Sequence, residues 1–209
     1  MQSVRVNRKA AARLATGHPW VYSSDLTGAS QIEAGAVVSV QDPSGRSLGV
    51  AHYSSSSLIA LRLLDRGRPA VDAAFFKKRI EAAAGLRQRR VRGSEAYRLV
   101  HAEADLLPGL IIDRYGSHFV LQALTQGMDA ATPWITAALI DLFQPQSIVA
   151  RNDAAVREKE SLPRAVEVIH GALEAPVELM MNGLRWRADL LHGQKTGVFL
   201  DQRENYLAA

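Results

Sequence analysis

Val4 and Val6 alternate with polar residues, the two-residue period of a half-buried strand. Arg8 to Leu14 then reads as one short helix, which Gly17 closes. Ala36–Val40, Ser47–Ala51 and Leu58–Leu64 are further strands, the first two joined through the turn signal Asp42-Pro43-Ser44-Gly45. Several short strands with Gly-rich turns predict a small barrel over residues 1–68. Asp65-Arg66-Gly67-Arg68-Pro69 is polar and carries Gly and Pro, as a boundary does. Asp72 is placed to cap a helix whose Phe76, Ile80 and Ala83 share one face. Tyr97 to Leu124 predicts a β-meander, with Pro108 and Gly109 central in a type II turn and Tyr115-Gly116-Ser117 as the second turn. Thr132-Pro133 starts a helix with a buried stripe of Ile135, Leu139, Leu142 and Phe143. Ser147–Ala150 is strand-like, Val166–Ile169 is expected to pair with Val177–Met180 about Gly171, and Asn182-Gly183 signals a hairpin into Leu184–Arg187.

These elements predict an α+β chain. The small β-barrel (1–68) is followed by a sandwich-like central α+β domain (70–181), a sheet covered on one face. A hairpin and lead-in segment (182–209) comes last. In that segment Gly193 and Gly197 enclose Gln194, Lys195 and Thr196, an amide, a cation and a hydroxyl in three positions. Val198, Phe199 and Leu200 read as a short buried run, and Asp201 with Glu204 resembles a capping box. From Asp201 to Ala209 there is too little chain for a stable lone helix, which needs ~12–15 residues. The expectation is that a further element belongs after Ala209.

Charge adds a partner class. Between Arg62 and Arg98 stand eleven basic residues against four acidic ones, a balance that favours a polyanion. The 209 residues include no cysteine, so the chain has no disulfide, no thiolate metal site and no cysteine nucleophile. No apolar run is long enough for a membrane span, and the N-terminus has no signal-peptide core, so the cytosol is the expected location, with no membrane partner. The six histidines are scattered without metal-ligand spacing, so no metal site is expected.

Four segments resemble, in the same order, the S-adenosylmethionine-dependent large-subunit ribosomal RNA cytosine-5 methyltransferases that carry an N-terminal PUA domain. They are Gly17-His18-Pro19-Trp20-Val21-Tyr22, Glu103 through Pro108-Gly109 to Tyr115, Arg151-Asn152-Asp153 with Val156 to Glu160, and Gly193 to Gly197 running into Arg203-Glu204-Asn205. Leu106 and Ser161 depart from that pattern, standing where the family commonly has Gly, and Val198 and Tyr206 replace a usual aromatic and a usual basic residue. The resemblance implies a PUA-like barrel that binds structured ribosomal RNA, and a Rossmann-like domain beyond the lead-in that holds S-adenosylmethionine and a catalytic cysteine. Cytosine C5 methylation needs a soft nucleophile at C6, and a chain without sulfhydryls cannot supply it, so these residues alone are expected to be inactive and no catalytic residue is assigned. Gln194, Lys195, Thr196, Asp201 and Arg203 are the implied cofactor-side residues, Lys195 for phosphate and Arg203 for the methionine carboxylate. Arg5, Arg8, Lys9, Arg13 and His18 are the implied RNA contacts. Glu103, Asp105, Asp113 and Arg114 are read as structural, with Asp113 and Arg114 as an ion pair, and Trp20 as core. Two other readings stay open: a stand-alone, non-catalytic RNA-binding module, and a scaffold whose basic face meets an acidic protein. An exposed apolar surface at the lead-in could also drive homodimerisation.

Overall fold

The computed structural model describes residues 1–28, 31–174, 176–202 and 205. Strands β1 (Gln2–Val6), β2 (Trp20–Tyr22), β3 (Leu26–Thr27), β4 (Val37–Gln41), β5 (Ser47–Tyr53) and β6 (Ile59–Asp65) form one sheet in the order β2-β6-β5-β4-β1-β3. Its two edge strands are separated in sequence by only Ser23–Asp25, so the sheet has to curl until its edges meet. The helix α1 (Arg8–Ala15) buries Ala10 and Leu14 among Val4, Val6, Val38, Val40 and Leu61.

A second sheet has the order β11-β10-β9-β8-β7, built from β7 (Ala96–His101), β8 (Leu110–Tyr115), β9 (His118–Ala123), β10 (Ser147–Asn152) and β11 (Ala165–Gly171). Here α2 (Ala73–Arg90) starts on Asp72, whose Oδ1 accepts the Phe75 amide at 3.0 Å, and it runs past Leu86 to Arg90. With α3 (Gln126–Ala130) and α4 (Thr132–Phe143) it covers the face formed by Leu110, Ile112, Phe119, Leu121 and Ile148. Pro108-Gly109 makes the expected tight turn, with the Leu110 amide bonded to Leu107 O at 3.0 Å and Gly109 at φ +83°. The hairpin β12 (Val177–Met181) and β13 (Leu184–Ala188) turns at Asn182-Gly183, both with positive φ.

Two expectations change. Val166–Ile169 does not pair with Val177–Met180: it lies in β11, antiparallel to β10, and extends the sheet, while β12 pairs with β13. The second sheet is not covered on one face only. Alternation sends Asp113, Tyr115, Val120, Val149 and Arg151 to the side away from the helices, and there Val177, Leu179, Met181, Ala188 and Leu190 pack against Tyr115, Val120 and Val149. The helix α4 starts at Thr132 as expected, with Pro133 in its first turn; the Thr132 hydroxyl bonds back to Met128 O at 3.2 Å, and Thr125 caps the preceding α3.

The two sheets share a core. Val50 and Leu64 of the first belong to one apolar cluster with Phe75, Phe76 and Met128. Beside it lies a buried polar junction. The Glu160 carboxylate, 1% exposed, meets Arg62 Nη2 at 2.8 Å and accepts the Ser54 hydroxyl at 2.7 Å. Gln126 accepts the Ser55 amide at 2.9 Å and donates to Glu160 O at 2.8 Å. His52, packed on Phe76, is held neutral at pH 7: burial, then the positive Arg62, pushes its pKa down to about 4. Gly127 lets this junction close, because a Cβ there would run into the His52 ring.

Leu106 and Ser161, where the family pattern has Gly, both sit in the left-handed region, at φ +59° and +54°. Each follows a short 3-10 turn, and its amide closes that turn, Leu106 N to Glu103 O and Ser161 N to Glu158 O, both at 3.1 Å. A side chain in that conformation costs ~1–2 kcal/mol, partly offset by the ~0.5–1 kcal/mol of entropy a glycine loses on folding. Leu106→Gly and Ser161→Gly are therefore each expected to raise the melting temperature by ~1–4 °C. Thermal melts of the two variants check this; a lowered melting temperature in both would mean that the side chains make contacts worth more than the strain.

Candidate functional site

On α1, Asn7 Oδ1 accepts the Ala10 amide at 2.8 Å and so sets the helix start, while Asn7 Nδ2 donates to Asp25 at 3.0 Å. Arg13 reaches the other Asp25 oxygen at 2.6 Å and lies over the Tyr22 ring, and this guanidinium holds the Asp25 carboxyl below the usual range. His18 accepts the Trp20 amide on Nδ1 at 3.2 Å and meets the Trp20 ring edge-on. Arg13 and His18 thus fasten α1 to β2, Arg13 through Nη2 and His18 through Nδ1. Trp20 is half-buried and joins the sheets, with Nε1 donating to Glu103 Oε1 at 2.9 Å. Arg5, Arg8 and Lys9 are exposed, and among the described residues no carboxylate pairs with them. They are the available cations of this face.

The lead-in loop lies across the non-helical face of the second sheet. Asp189 starts it, accepting the Leu191 and His192 amides on Oδ1 at 3.0 and 2.9 Å. Arg151, buried on β10, donates to Leu190 O at 3.2 Å and Gly193 O at 3.1 Å. Thr196 is 1% exposed, and its hydroxyl donates to Asp113 Oδ2 at 2.6 Å. Having spent its proton, that oxygen can only accept from Tyr115, 2.9 Å away, and the Tyr115 oxygen in turn accepts the Val198 amide at 3.4 Å. Arg98 closes the chain on Asp113 with bonds of 2.9 and 3.1 Å. The hydroxyls and amides all point one way, toward a fully buried carboxylate balanced by one guanidinium, an arrangement in which each bond strengthens the next. Asp113 keeps Arg98 protonated, with its pKa raised, and burial pushes the Tyr115 hydroxyl up to about 12.

The expected cofactor-side residues separate. Thr196 faces inward and holds the loop. Lys195 and Asp201 face outward but pair with each other at 3.3 Å, and the Lys195 ammonium also lies over the Phe199 ring at 4.5 Å. Lys195 lowers the Asp201 pKa. Gln194 is exposed. Arg203, with Glu204 of the expected capping box, lies outside the described residues. Val198 and Leu200 are only half-buried and Phe199 is exposed, so that run is not the buried segment its composition suggests. Lys195 and Asp201 line a cleft of about 480 Å3 with Arg98, His101 and Gln122. Among the described residues no strand–Gly-loop–helix unit adjoins it, and its charged lining is already paired, Lys195 with Asp201 and Arg98 with Asp113.

Asp113 does not pair with Arg114. Neighbours on a strand face opposite ways; Arg114 lies on the helical side over Phe119 and Phe143, and Asp113 finds Arg98. Asp105 pairs with Arg87. Of the charged block at 151–160, Arg151, Arg157 and Glu160 are buried rather than solvated. Sequence reasoning missed Arg98, Tyr115 and Arg151 as the residues that hold the loop. The alternation of Ile111, Asp113 and Tyr115 was the available signal, though it does not say what covers that face.

Residues 4–66 match the family described as PUA-like domain. A protein of Vibrio cholerae named ribosomal RNA large subunit methyltransferase I is 38% identical over 195 residues, which is 90% of this chain and 48% of that protein. A Klebsiella pneumoniae protein of the same name is 38% identical over 199 residues, 91% of this chain and 49% of its own. The chain spans about half the length of the curated relatives it matches. A solved structure described as a candidate methyltransferase complexed with SAH superposes with a TM-score of 0.83 at 20% identity, covering 98% of this chain and 52% of that one. A candidate SAM-dependent methyltransferase from Streptococcus mutans gives 0.80, also at 20%, covering 98% and 53%. At that identity the two structures show a shared fold.

Proposed function

We propose that this chain is the RNA-holding, N-terminal portion of an S-adenosylmethionine-dependent methyltransferase of large-subunit ribosomal RNA, with cytosine C5 as the methyl acceptor. One observation carries the reading: the match to relatives named ribosomal RNA large subunit methyltransferase I runs over 90% of the chain, in a fold whose PUA-like part presents cations that pair with no carboxylate among the described residues. S-adenosylmethionine, when bound, supplies the methyl group. The residues described here bind and position: Arg5, Arg8 and Lys9 meet RNA phosphates, the Arg62–Glu160 junction holds the barrel against the second sheet, and the Thr196–Asp113 anchor fixes the lead-in loop. Gln194, Lys195, Asp201 and Arg203 are proposed for the rim of the cofactor site. The thiolate that C5 methylation calls for is not among these 209 residues, which contain no cysteine.

The test is charge reversal at exposed positions that carry no structural bond. Arg8→Glu with Lys9→Glu is expected to weaken binding to an in vitro transcribed large-subunit ribosomal RNA fragment at least tenfold in ~0.1 M salt. Two lost phosphate contacts would flatten the log–log salt slope by ~2 if the fragment is duplex in that region. Fluorescence anisotropy across a salt series measures both. Affinity and slope equal to those of the unmodified chain would refute this surface as the RNA contact.

A further inference from the structure

A second cationic surface lies at the far end of α2, away from the PUA-like barrel. Arg79 of this helix pairs with Asp65 at the barrel's edge, at 2.6 Å. Arg89 and Arg90 come ten and eleven residues later, ~15 Å further along the axis. They and Arg92 are exposed, and among the described residues no carboxylate pairs with any of the three. Arginine at a helix C-terminus is favoured by the helix dipole, but that accounts for one charge better than for three in four residues, which repel one another. The segment carrying them is fixed at both ends. The Val91 amide caps the helix on Arg87 O at 2.7 Å, and beyond Arg92 the Gly93 carbonyl accepts the Asn182 amide at 2.8 Å.

Arg90 lines a groove of about 540 Å3, and Arg89 and Arg92 are its close neighbours in sequence. Its floor is Leu86, Val91, the Tyr97 ring and Leu200, and Arg90 and Arg98 stand on its rim. The carboxylate on the same rim, Asp201, is countered by Lys195. Cations above an apolar and aromatic floor match a nucleotide whose phosphate is exposed and whose base is free to leave its stack. A duplex keeps its bases paired and would use the arginines but not the floor.

We propose that this groove binds a single-stranded RNA segment, with backbone phosphates on Arg89, Arg90 and Arg92 and one base against Leu86, Val91 and Tyr97. It rests on the reading above that RNA is the ligand, and adds where a second contact lies and in what form the RNA is taken. The groove opens beside the lead-in loop, whose Leu200 and Asp201 belong to its lining.

The probe is fluorescein-labelled dodecauridylate, read by anisotropy on the full 209-residue chain, with the ribosomal RNA fragment measured in parallel. The triple variant Arg89→Glu, Arg90→Glu, Arg92→Glu is expected to weaken dodecauridylate binding at least tenfold and to flatten its salt slope by ~2, from three single-strand contacts. Leu86→Glu, at an exposed position, is expected to weaken it several-fold. If the triple charge reversal does not fold, Arg89→Gln, Arg90→Gln, Arg92→Gln carries the same test with the same direction. Dodecauridylate binding indifferent to the α2 variants, or displaced by polyglutamate at equal charge, would overturn the proposal, the second result pointing to an acidic protein instead. Binding of the ribosomal RNA fragment without binding of dodecauridylate would overturn this proposal and leave the proposed function standing; binding of neither would overturn both.

Discussion

Glu160→Met is expected to destabilise the chain by ~3–5 kcal/mol, because it removes one partner of a buried ion pair and strands the other. Arg62 has a side chain only 11% exposed and keeps just Ile59 O at 3.2 Å and a long contact to Ser57. Ser54 loses its acceptor as well. The junction joins the two sheets, so the loss is global and should lower the melting temperature by ~10 °C. Replacing both partners, Arg62→Leu with Glu160→Met, should recover most of it, since a buried pair exchanged for apolar groups is often neutral. Urea unfolding of the two single variants and the double one reads the effect. A single-variant loss under ~1 kcal/mol would mean that the sheets are held by their shared apolar core alone.

Thr196→Val is the second large effect, and it is local. The change keeps the shape and removes the hydroxyl that donates to Asp113 and accepts from Tyr115. A fully buried carboxylate loses one of its donors, for ~2–3 kcal/mol. The loop should then detach before the sheets do. Hydrogen exchange of the Val198 amide should accelerate by tens of fold, and protease should cut within residues 189–200 under conditions that spare the rest. Thr196→Ser keeps both bonds and should protect the loop almost fully. Equal exchange in Thr196→Val and the unmodified chain would show that Arg151 holds the loop without help.

What could be read from the sequence follows from how local the physics is. The start of α2 at Asp72, the turn at Pro108-Gly109 and the hairpin at Asn182-Gly183 are each set by a few adjacent residues, and each stands where expected. The partner of Val166–Ile169 is a long-range choice. Its neighbour in sequence was the natural guess, but β10 offered a sheet edge and won. The Arg62–Glu160 junction joins residues too far apart for spacing to suggest them. At the candidate site, residue type alone could not tell which polar groups were free. Thr196 and Lys195 are adjacent, yet one is buried in a hydrogen-bonded chain and the other sits outside against Asp201. Arg13 differs from Arg8 and Lys9 in the same way, because Asp25 returns to α1 from the next strand turn. Leu106 and Ser161 show the converse: the departures from a glycine pattern mark true left-handed positions, which the sequence flagged and the fold tolerates.

RNA binding by these residues is what the proposed function stands on, and titration of the 209-residue chain against a labelled large-subunit ribosomal RNA fragment, with a DNA duplex of equal length as competitor, measures it. Saturable binding is expected that weakens linearly in log–log coordinates with salt and survives a tenfold excess of the DNA. No binding at low salt, or complete displacement by an equal charge of DNA, would contradict it.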